Sequence, residues 1–217
     1  MQNEFIVTLA WPEGMVKSAG AWYDNILSQD GEYRVGHSAI ALITSTTKKV
    51  HYFDFGRYHT AKGYGRVRDI ETDPDVVVID AEISENKITN IDEILLYLSQ
   101  MKATHSDGKM YASVLSNVDF KSAFNKAKGM QKKGMLPYGP LVRPGTNCSR
   151  FVAKVIIASE PSFIKKLRLK YPFCISPSPK RNVSISNNHY YVVENGVIIE
   201  VKKSKLESYF TSIERYE

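Results

Sequence analysis

Two pairs of apolar stretches along the chain predict β-hairpins. Residues 33–44 and 50–55 are rich in β-branched and aromatic residues on either side of a polar turn, so we expect antiparallel strands. Residues 189–193 and 197–201 flank an Asn-Gly pair, which is a strong signal for a hairpin turn. Further strands are expected over residues 5–10, 76–83 and 110–115.

Apolar residues spaced three or four positions apart predict helices between these strands. One helix is expected over residues 119–133 and another over residues 148–159, which begins at Cys148. The lysines of the first helix fall outside its apolar stripe, so they are expected to form a solvated face: Lys126, Lys128, Lys132 and Lys133. Another predicted helix is capped by Asn90 or Asp92 and runs through Met101. The remaining predicted helices begin at Ser18 or run over residues 161–170 and 206–216.

The turn of the first hairpin predicts which residues face each other across it. If Thr46 and Thr47 form the tip, counting outward pairs Ala39 with Asp54. Side chains alternate between the two faces of a strand, so Asp54 is expected on the same face as His37, one diagonal step away. A shift of one residue would turn Asp54 to the other face, so the prediction depends on this register.

Two stretches have the composition of loops. Residues 56–69 are rich in glycine and arginine, and they lack the third glycine of a dinucleotide-binding turn, so a tight, mobile loop is expected. Residues 176–182 contain two Ser-Pro pairs and are the most linker-like part of the chain. The segment that follows is too short for an independent domain. Residues 1–217 are therefore expected to form a single domain, with 176–217 as a C-terminal hairpin-plus-helix extension.

Length and composition indicate a globular protein. A chain of 217 residues, 43% of them hydrophobic, can bury a core of its own. The net charge of +6 is not concentrated in any run that would indicate a nucleic-acid partner, so such a partner is disfavoured. The start of the chain has no basic region before its apolar run, and no stretch approaches the ~20 apolar residues of a membrane helix. A cytoplasmic location is the resulting expectation.

The two cysteines differ in their surroundings. Cys174 lies among apolar residues away from any helix start, so it is expected to be buried and unreactive. Cys148 follows a Pro-Gly turn at a helix start, where free N–H groups and the helix dipole favour a thiolate. Two cysteines make no disulfide framework, and no Cys/His/Asp spacing matches a zinc site, so neither a metal nor an organic cofactor is expected.

A thiolate nucleophile needs a base and a group that orients the base. His37 with Asp54 can supply both. His189 is the competing base, since it also stands at the start of a predicted strand. Its possible partners are Glu194, Glu200 and nearby asparagines, and no register favours any of them. His37 is therefore preferred.

Three short motifs carry a resemblance to a known family, namely residues 36–42 (Gly-His-Ser-Ala-Ile-Ala-Leu), 52–54 (Tyr-Phe-Asp) and 147–152 (Asn-Cys-Ser-Arg-Phe-Val). The chain resembles the circularly permuted NlpC-like branch of the papain-like cysteine hydrolases, which includes the lecithin retinol acyltransferase-like proteins. In that branch the histidine precedes the cysteine, as His37 precedes Cys148 here. A third polar residue follows on the neighbouring strand, where this chain departs from many relatives by having an aspartate, Asp54.

The resemblance implies an α+β papain-like fold, in which a small antiparallel sheet packs against the helix that begins at Cys148. It also implies a cysteine-dependent hydrolase or acyltransferase acting on an amide or ester bond of a peptide, peptidoglycan fragment or lipid. Cys148 would carry the acyl group, with His37 as base and Asp54 as its orienting partner. Tyr138 and Arg143, in the loop before Cys148, are candidate substrate-binding residues. The alternative is a noncatalytic binding or scaffold domain on the same fold.

Overall fold

Antiparallel strands form the framework of the part of the chain that the computed structural model describes, which is residues 3–18, 32–34, 36–106, 108–142, 144–172, 178–204 and 207. In chain order these strands are β1 (Glu4–Trp11), β2 (Met15–Lys17), β3 (Glu32–Arg34), β4 (His37–Thr44), β5 (Val50–Gly56), β6 (Tyr64–Arg68), β7 (Ile83–Ser84), β8 (Lys87–Ile88), β9 (Met110–Ser116), β10 (Leu136–Pro137), β11 (His189–Glu194) and β12 (Val197–Lys202). Eight of them form one sheet in the order β10-β6-β5-β4-β1-β9-β11-β12. The sheet is thus larger than the small one expected from the sequence.

Helices cover both faces of this sheet. They are α1 (Ile91–Gln100), α2 (Phe120–Gln131), α3 (Cys148–Ala158), α4 (Phe163–Lys170) and α5 (Pro179–Ser186), with short 3-10 turns at Pro74–Val76 and Lys102–Thr104. On one face, α1 packs its buried Ile94, Leu95 and Leu98 against the sheet. On the other face, α2 and α3 pack against β4 and β5. The central strand β1 is buried on both sides, which accounts for its nearly continuous apolar sequence.

The hairpin formed by β4 and β5 has the register expected from its turn. Ala39 pairs with Asp54 and Ala41 with Tyr52, so this prediction is confirmed. The second hairpin is confirmed as well, because β11 pairs with β12 along its length. β11 also pairs with β9 in the main sheet, so the hairpin of the 176–217 segment continues that sheet.

The expectation of a mobile loop over residues 56–69 is wrong in its second half. Residues 64–68 form β6, which pairs with β5 and places Arg68 opposite Asp54. The Arg-Val-Arg alternation explains the strand, because Val67 enters the core while its neighbours face the other way. The alternation was not recognised in the sequence because glycine and arginine are typical of loops.

The expected strand over residues 76–83 is also wrong. Pro74 fixes its backbone angle and lacks an N–H donor, and residues 74–76 form a 3-10 turn, leaving only Ile83–Ser84 paired with β8. Val76 and Val78 are apolar because they cover the core formed with α1.

The linker expected over residues 176–182 is a helix where the structure describes it. The hydroxyl of Ser178 accepts a hydrogen bond from the Arg181 N–H, and Pro179 occupies the first turn, so a Ser-Pro pair here starts α5. Lys180 and Asn182 are buried, because α5 packs against β1 and β9.

One lysine of the expected solvated face is bound within the protein. The ammonium of Lys128 contacts Asp69 and lies 2.7 Å from a Glu71 carboxylate oxygen. The helices expected from Ser18 and over residues 206–216 lie outside the described residues, apart from Ser18 and Glu207 themselves. Among the residues that are described, no helix is long and apolar enough to cross a membrane.

Candidate active site

His37 is held at the start of β4 by a close backbone approach. Gly36 has φ of +63°, and a Cβ atom there would lie 2.3 Å from the Trp11 carbonyl oxygen, so this position requires glycine. Trp11 pairs with His37 in register, and the two rings stack with their centroids 5.9 Å apart. The indole thus fixes one side of the imidazole.

Asp54 binds the imidazole from the neighbouring strand. His37 Nε2 lies 2.9 Å from Asp54 Oδ2, as expected from the hairpin register. The same oxygen accepts hydrogen bonds from the hydroxyls of Tyr52 at 3.0 Å and Tyr58 at 3.1 Å. Since Nε2 faces the carboxylate, Nδ1 is the ring nitrogen available to a thiol.

Arg68 is the second cation at Asp54. Its Nε lies 2.8 Å from Oδ1 and one terminal nitrogen lies 3.0 Å from Oδ2, while that nitrogen also donates to the Ala103 carbonyl. The guanidinium carbon stands 3.5 Å from the centre of the Tyr58 ring. Burial alone would raise the pKa of Asp54, but hydrogen bonds and charge from His37 and Arg68 hold it well below its usual range.

Cys148 begins α3 in a turn that is fixed on both sides. The side chain of Asn147 caps the helix by accepting a hydrogen bond from the Arg150 N–H at 2.9 Å. Before the cap, the Thr146 N–H donates to the Pro137 carbonyl at 2.9 Å. Behind it, the Asn182 amide donates to the Ser149 carbonyl at 2.8 Å, which ties α5 to the first turn of α3.

Cys148 and His37 shift each other's pKa in opposite directions. Burial alone would lower the pKa of His37, but hydrogen bonds to Asp54 and Cys148 raise it to about 9. Burial alone would raise the pKa of the Cys148 thiol, but the hydrogen bond and charge of His37 lower it, with smaller contributions from Ser149 and the Ser38 N–H. Near neutral pH these directions favour a thiolate beside an imidazolium.

His189 lies in another part of the sheet. It stands on β11, three strands away from β4, and four residues along β11 from the position level with His37. At ordinary strand spacings the two histidines are therefore roughly 20 Å apart. Its Nε2 lies within ion-pair distance of a Glu200 carboxylate oxygen. The structure therefore brings His37, and not His189, together with Cys148.

Of the two candidate substrate-binding residues, the structure describes Tyr138 and does not describe Arg143. The ring of Tyr138 stacks on Phe55 with centroids 5.7 Å apart, and the Arg57 guanidinium lies over it, so this tyrosine packs against the core next to the Cys148 turn. Arg143 lies outside the described residues, as does Cys174.

Sequence reasoning missed three residues around Asp54, namely Tyr52, Tyr58 and Arg68. Tyr52 could have been found, because it alternates with Asp54 on the same strand face. Arg66 and Arg68 both lie in the stretch that the sequence predicts to be a mobile loop, which gives no reason to place either at the site. In the structure Arg66 binds Asp73 through two contacts of 2.6 Å, and Arg68 is buried, so both are bound within the protein.

Comparisons with known proteins agree with this architecture. The model of a family described as "Type VI secretion system effector TseH-like" matches residues 6–163, which is more than half of the chain. The chain belongs to this TseH-like family. The match spans the strands that carry His37 and Asp54 and the helix α3 that begins at Cys148, and it ends before α5.

A solved structure extends the comparison of this TseH-like chain beyond the matched segment. The crystal structure of the type VI secretion system effector TseH superposes with a TM-score of 0.62 at 18% identity, covering 92% of this chain and 98% of that one. At this identity the match establishes the fold alone, and it confirms the α+β papain-like fold. A search of curated proteins finds no match.

The residues described for this TseH-like chain contain no group of three or more His, Cys, Asp or Glu side chains placed to hold a metal ion. What they do contain is a thiol, a base and a carboxylate in hydrogen-bonded series. Such a series has the parts needed for acyl transfer through a covalent intermediate.

Proposed function

We propose that the chain is a cysteine-dependent hydrolase or acyltransferase that cleaves an amide or ester bond. The observation that carries the proposal is the position of His37 between the buried Asp54 carboxylate and the Cys148 thiol. Its fold and the order of histidine before cysteine favour the circularly permuted NlpC-like branch. A peptide, a peptidoglycan fragment or a lipid is the acyl donor in this proposal.

In the proposed reaction the Cys148 thiolate attacks the carbonyl carbon, and the carbonyl π electrons move to oxygen. The backbone N–H of Cys148, at the open start of α3, donates to that oxyanion. The His37 imidazolium then gives its proton to the leaving amine or alkoxide as the tetrahedral intermediate collapses to a thioester.

The second half of the reaction regenerates the thiol site. Neutral His37 takes a proton from water, or from an acceptor alcohol or amine, as that molecule attacks the thioester carbon. The thiolate leaves and the ion pair with His37 forms again. Asp54 stays ionised throughout, held by Arg68, and supports the imidazolium in both steps.

The family description supports a proposal about where this activity is used. Because the related proteins are described as type VI secretion system effectors, we extend the proposal to a secreted effector whose hydrolase activity is used after secretion. The cytoplasmic location expected from the sequence then applies to the chain before it is secreted.

The test compares wild type with Cys148→Ala. A thiol-reactive electrophile should label Cys148 of folded wild type, with the labelled residue located by mass spectrometry, and the variant should lack this label. The two proteins are then incubated with purified peptidoglycan, a denatured protein and phospholipid vesicles, and released amines and fatty acids are measured. Wild type should release product from one of the three materials, and Cys148→Ala should release product from none of them.

Two results would count against the proposal. Cleavage that persists in Cys148→Ala would exclude this cysteine as nucleophile. A folded wild type whose Cys148 resists every electrophile and which cleaves nothing would support the alternative, a noncatalytic binding or scaffold domain.

A further inference from the structure

Helix α4 presents a row of large apolar side chains to solvent. Phe163, Ile164 and Leu167 are exposed by 78%, 60% and 47%, and Tyr171, directly after the helix, is exposed by 60%. Single exposed apolar residues are common, but a cluster of four within nine positions marks a contact surface. We call these four residues the apolar row.

The apolar row occupies one side of the helix. At about 100° per residue, its four positions fall within an arc of about 100°. The opposite side faces the protein, where Leu169 is 3% exposed and the Lys165 ammonium donates to the Ser186 carbonyl of α5. The fold therefore holds α4 with its apolar row directed outward.

Basic residues stand on both sides of the apolar row. By the same angular count, Arg168 lies on one side and Lys166 and Lys170 lie on the other. The helix contains no acidic residue, and Lys166 pairs with the exposed Glu160 just before it. An outward apolar face bordered by cations is the pattern of a helix that lies in a membrane interface.

We propose that α4 docks the protein onto the surface of an anionic phospholipid membrane. The apolar row enters the headgroup region, and the flanking lysines and arginine bind lipid phosphates. This inference goes beyond the hydrolase activity and does not depend on Cys148.

The charge arrangement favours a membrane over a second copy of the chain. A symmetric dimer would place the same patch against itself, and the cations bordering one apolar row would meet those bordering the other. A lipid surface of opposite charge has no such repulsion, and the chain's net charge of +6 adds to the attraction.

The experiment is vesicle flotation in the Cys148→Ala background, which prevents any hydrolysis of the lipid. One vesicle preparation contains phosphatidylglycerol and phosphatidylcholine in equal parts, and the other contains phosphatidylcholine alone. The protein should float with the anionic vesicles, and added salt should release it. Wild type and Cys148→Ala should bind equally, so an inert Cys148 would overturn the hydrolase proposal without affecting this one.

Matched variants assign the binding to α4. The triple variant Phe163→Ser, Ile164→Ser and Leu167→Ser should weaken partitioning of the protein onto vesicles at least about tenfold. Each substitution removes apolar area that would be buried in the membrane. The control is Val197→Ser with Ile199→Ser on the edge strand β12, where the side chains are 59% and 55% exposed. This control should bind like its parent.

A charge variant tests the second half of the proposal. Arg168→Glu with Lys170→Glu should lower binding to anionic vesicles about tenfold or more, because each substitution reverses a charge near the surface. Four results would overturn the proposal: no flotation with anionic vesicles, equal flotation with neutral ones, equal loss in the β12 control, or a dimer in solution that the α4 apolar variant dissociates.

Discussion

The sheet carries two histidine–carboxylate pairs that look alike in a list of contacts. His37 with Asp54 and His189 with Glu200 both lie within ion-pair distance across neighbouring strands. The first pair is enclosed, with side-chain exposures of 14% and 0%, whereas the second is open, at 31% and 47%. Among the cysteines that the structure describes, Cys148 stands beside the first pair.

The difference shows that proximity alone does not make a base. In water a histidine–carboxylate pair is screened and contributes little. In the enclosed pair, Asp54 has Arg68 as a second cation and two tyrosine hydroxyls as donors, so its charge persists where water is excluded. The carboxylate of Glu200 has Lys202 at 4.0 Å, and that lysine is 72% exposed.

The largest expected effect separates the two histidines. His37→Ala should lower the rate of Cys148 alkylation at neutral pH by about 10²- to 10⁴-fold, because the thiolate loses its cation and base. His189→Ala should leave the rate within about twofold, since a surface pair contributes little. Alkylation rates measured by mass spectrometry test both, and the reverse ranking would show that His189 is the base.

The next effect separates the two carboxylates by stability. Asp54→Asn should lower the free energy of unfolding by about 3–5 kcal/mol, because it leaves the Arg68 guanidinium buried without its counterion. Glu200→Gln should change it by less than about 1 kcal/mol. Urea unfolding followed by circular dichroism measures both, and equal losses would mean that burial does not distinguish the pairs.

A titration tests the charge on the enclosed histidine. The imidazole of His37 should remain protonated through neutrality and lose its proton near pH 9, which is seen by NMR of ¹⁵N-histidine-labelled protein. Its charge therefore stabilises the fold most fully below the ordinary pKa of 6.5, and this contribution is lost as the pH rises through about 9. Cys148→Ala should lower the midpoint, because it removes one hydrogen-bond partner; an unchanged midpoint would argue against the ion pair.

The smallest effect concerns the tyrosine beside each histidine. Tyr58→Phe removes hydroxyl contacts to Asp54 and His37, so it should cost about 1 kcal/mol of stability and slow alkylation several-fold. Tyr191 stacks on His189 with centroids 5.6 Å apart, and Tyr191→Phe should alter neither quantity. If the two substitutions behave alike, the Tyr58 hydroxyl has no special part in the site.

Local signals were sufficient at the β4–β5 hairpin and at the start of α3. The β4–β5 register follows from a short polar turn, and each residue outward from that turn has a determined partner, so Asp54 could be placed beside His37. The start of α3 follows in the same way, because the Asn147 cap and the apolar stripe after Cys148 are adjacent in sequence.

Contacts between segments that are distant along the chain could not be predicted from the sequence. Residues 176–182 have the composition of a linker because their prolines and serines suit a loop as well as a helix start. Only the packing of residues 179–186 against β1 and β9 decides between the two. The strand at residues 64–68 was concealed because glycine and arginine are uncommon in buried strands, and Arg68 becomes acceptable there only through Asp54.

The sequence by itself determined the hairpin, the cysteine at a helix start and the choice of candidate residues, because each depends on spacing along a few neighbouring positions. Tertiary structure alone decided which histidine meets the cysteine and how the carboxylate stays charged. Those outcomes depend on the order of strands in the sheet and on burial, since the energy of a charge in a protein is set by what replaces water around it.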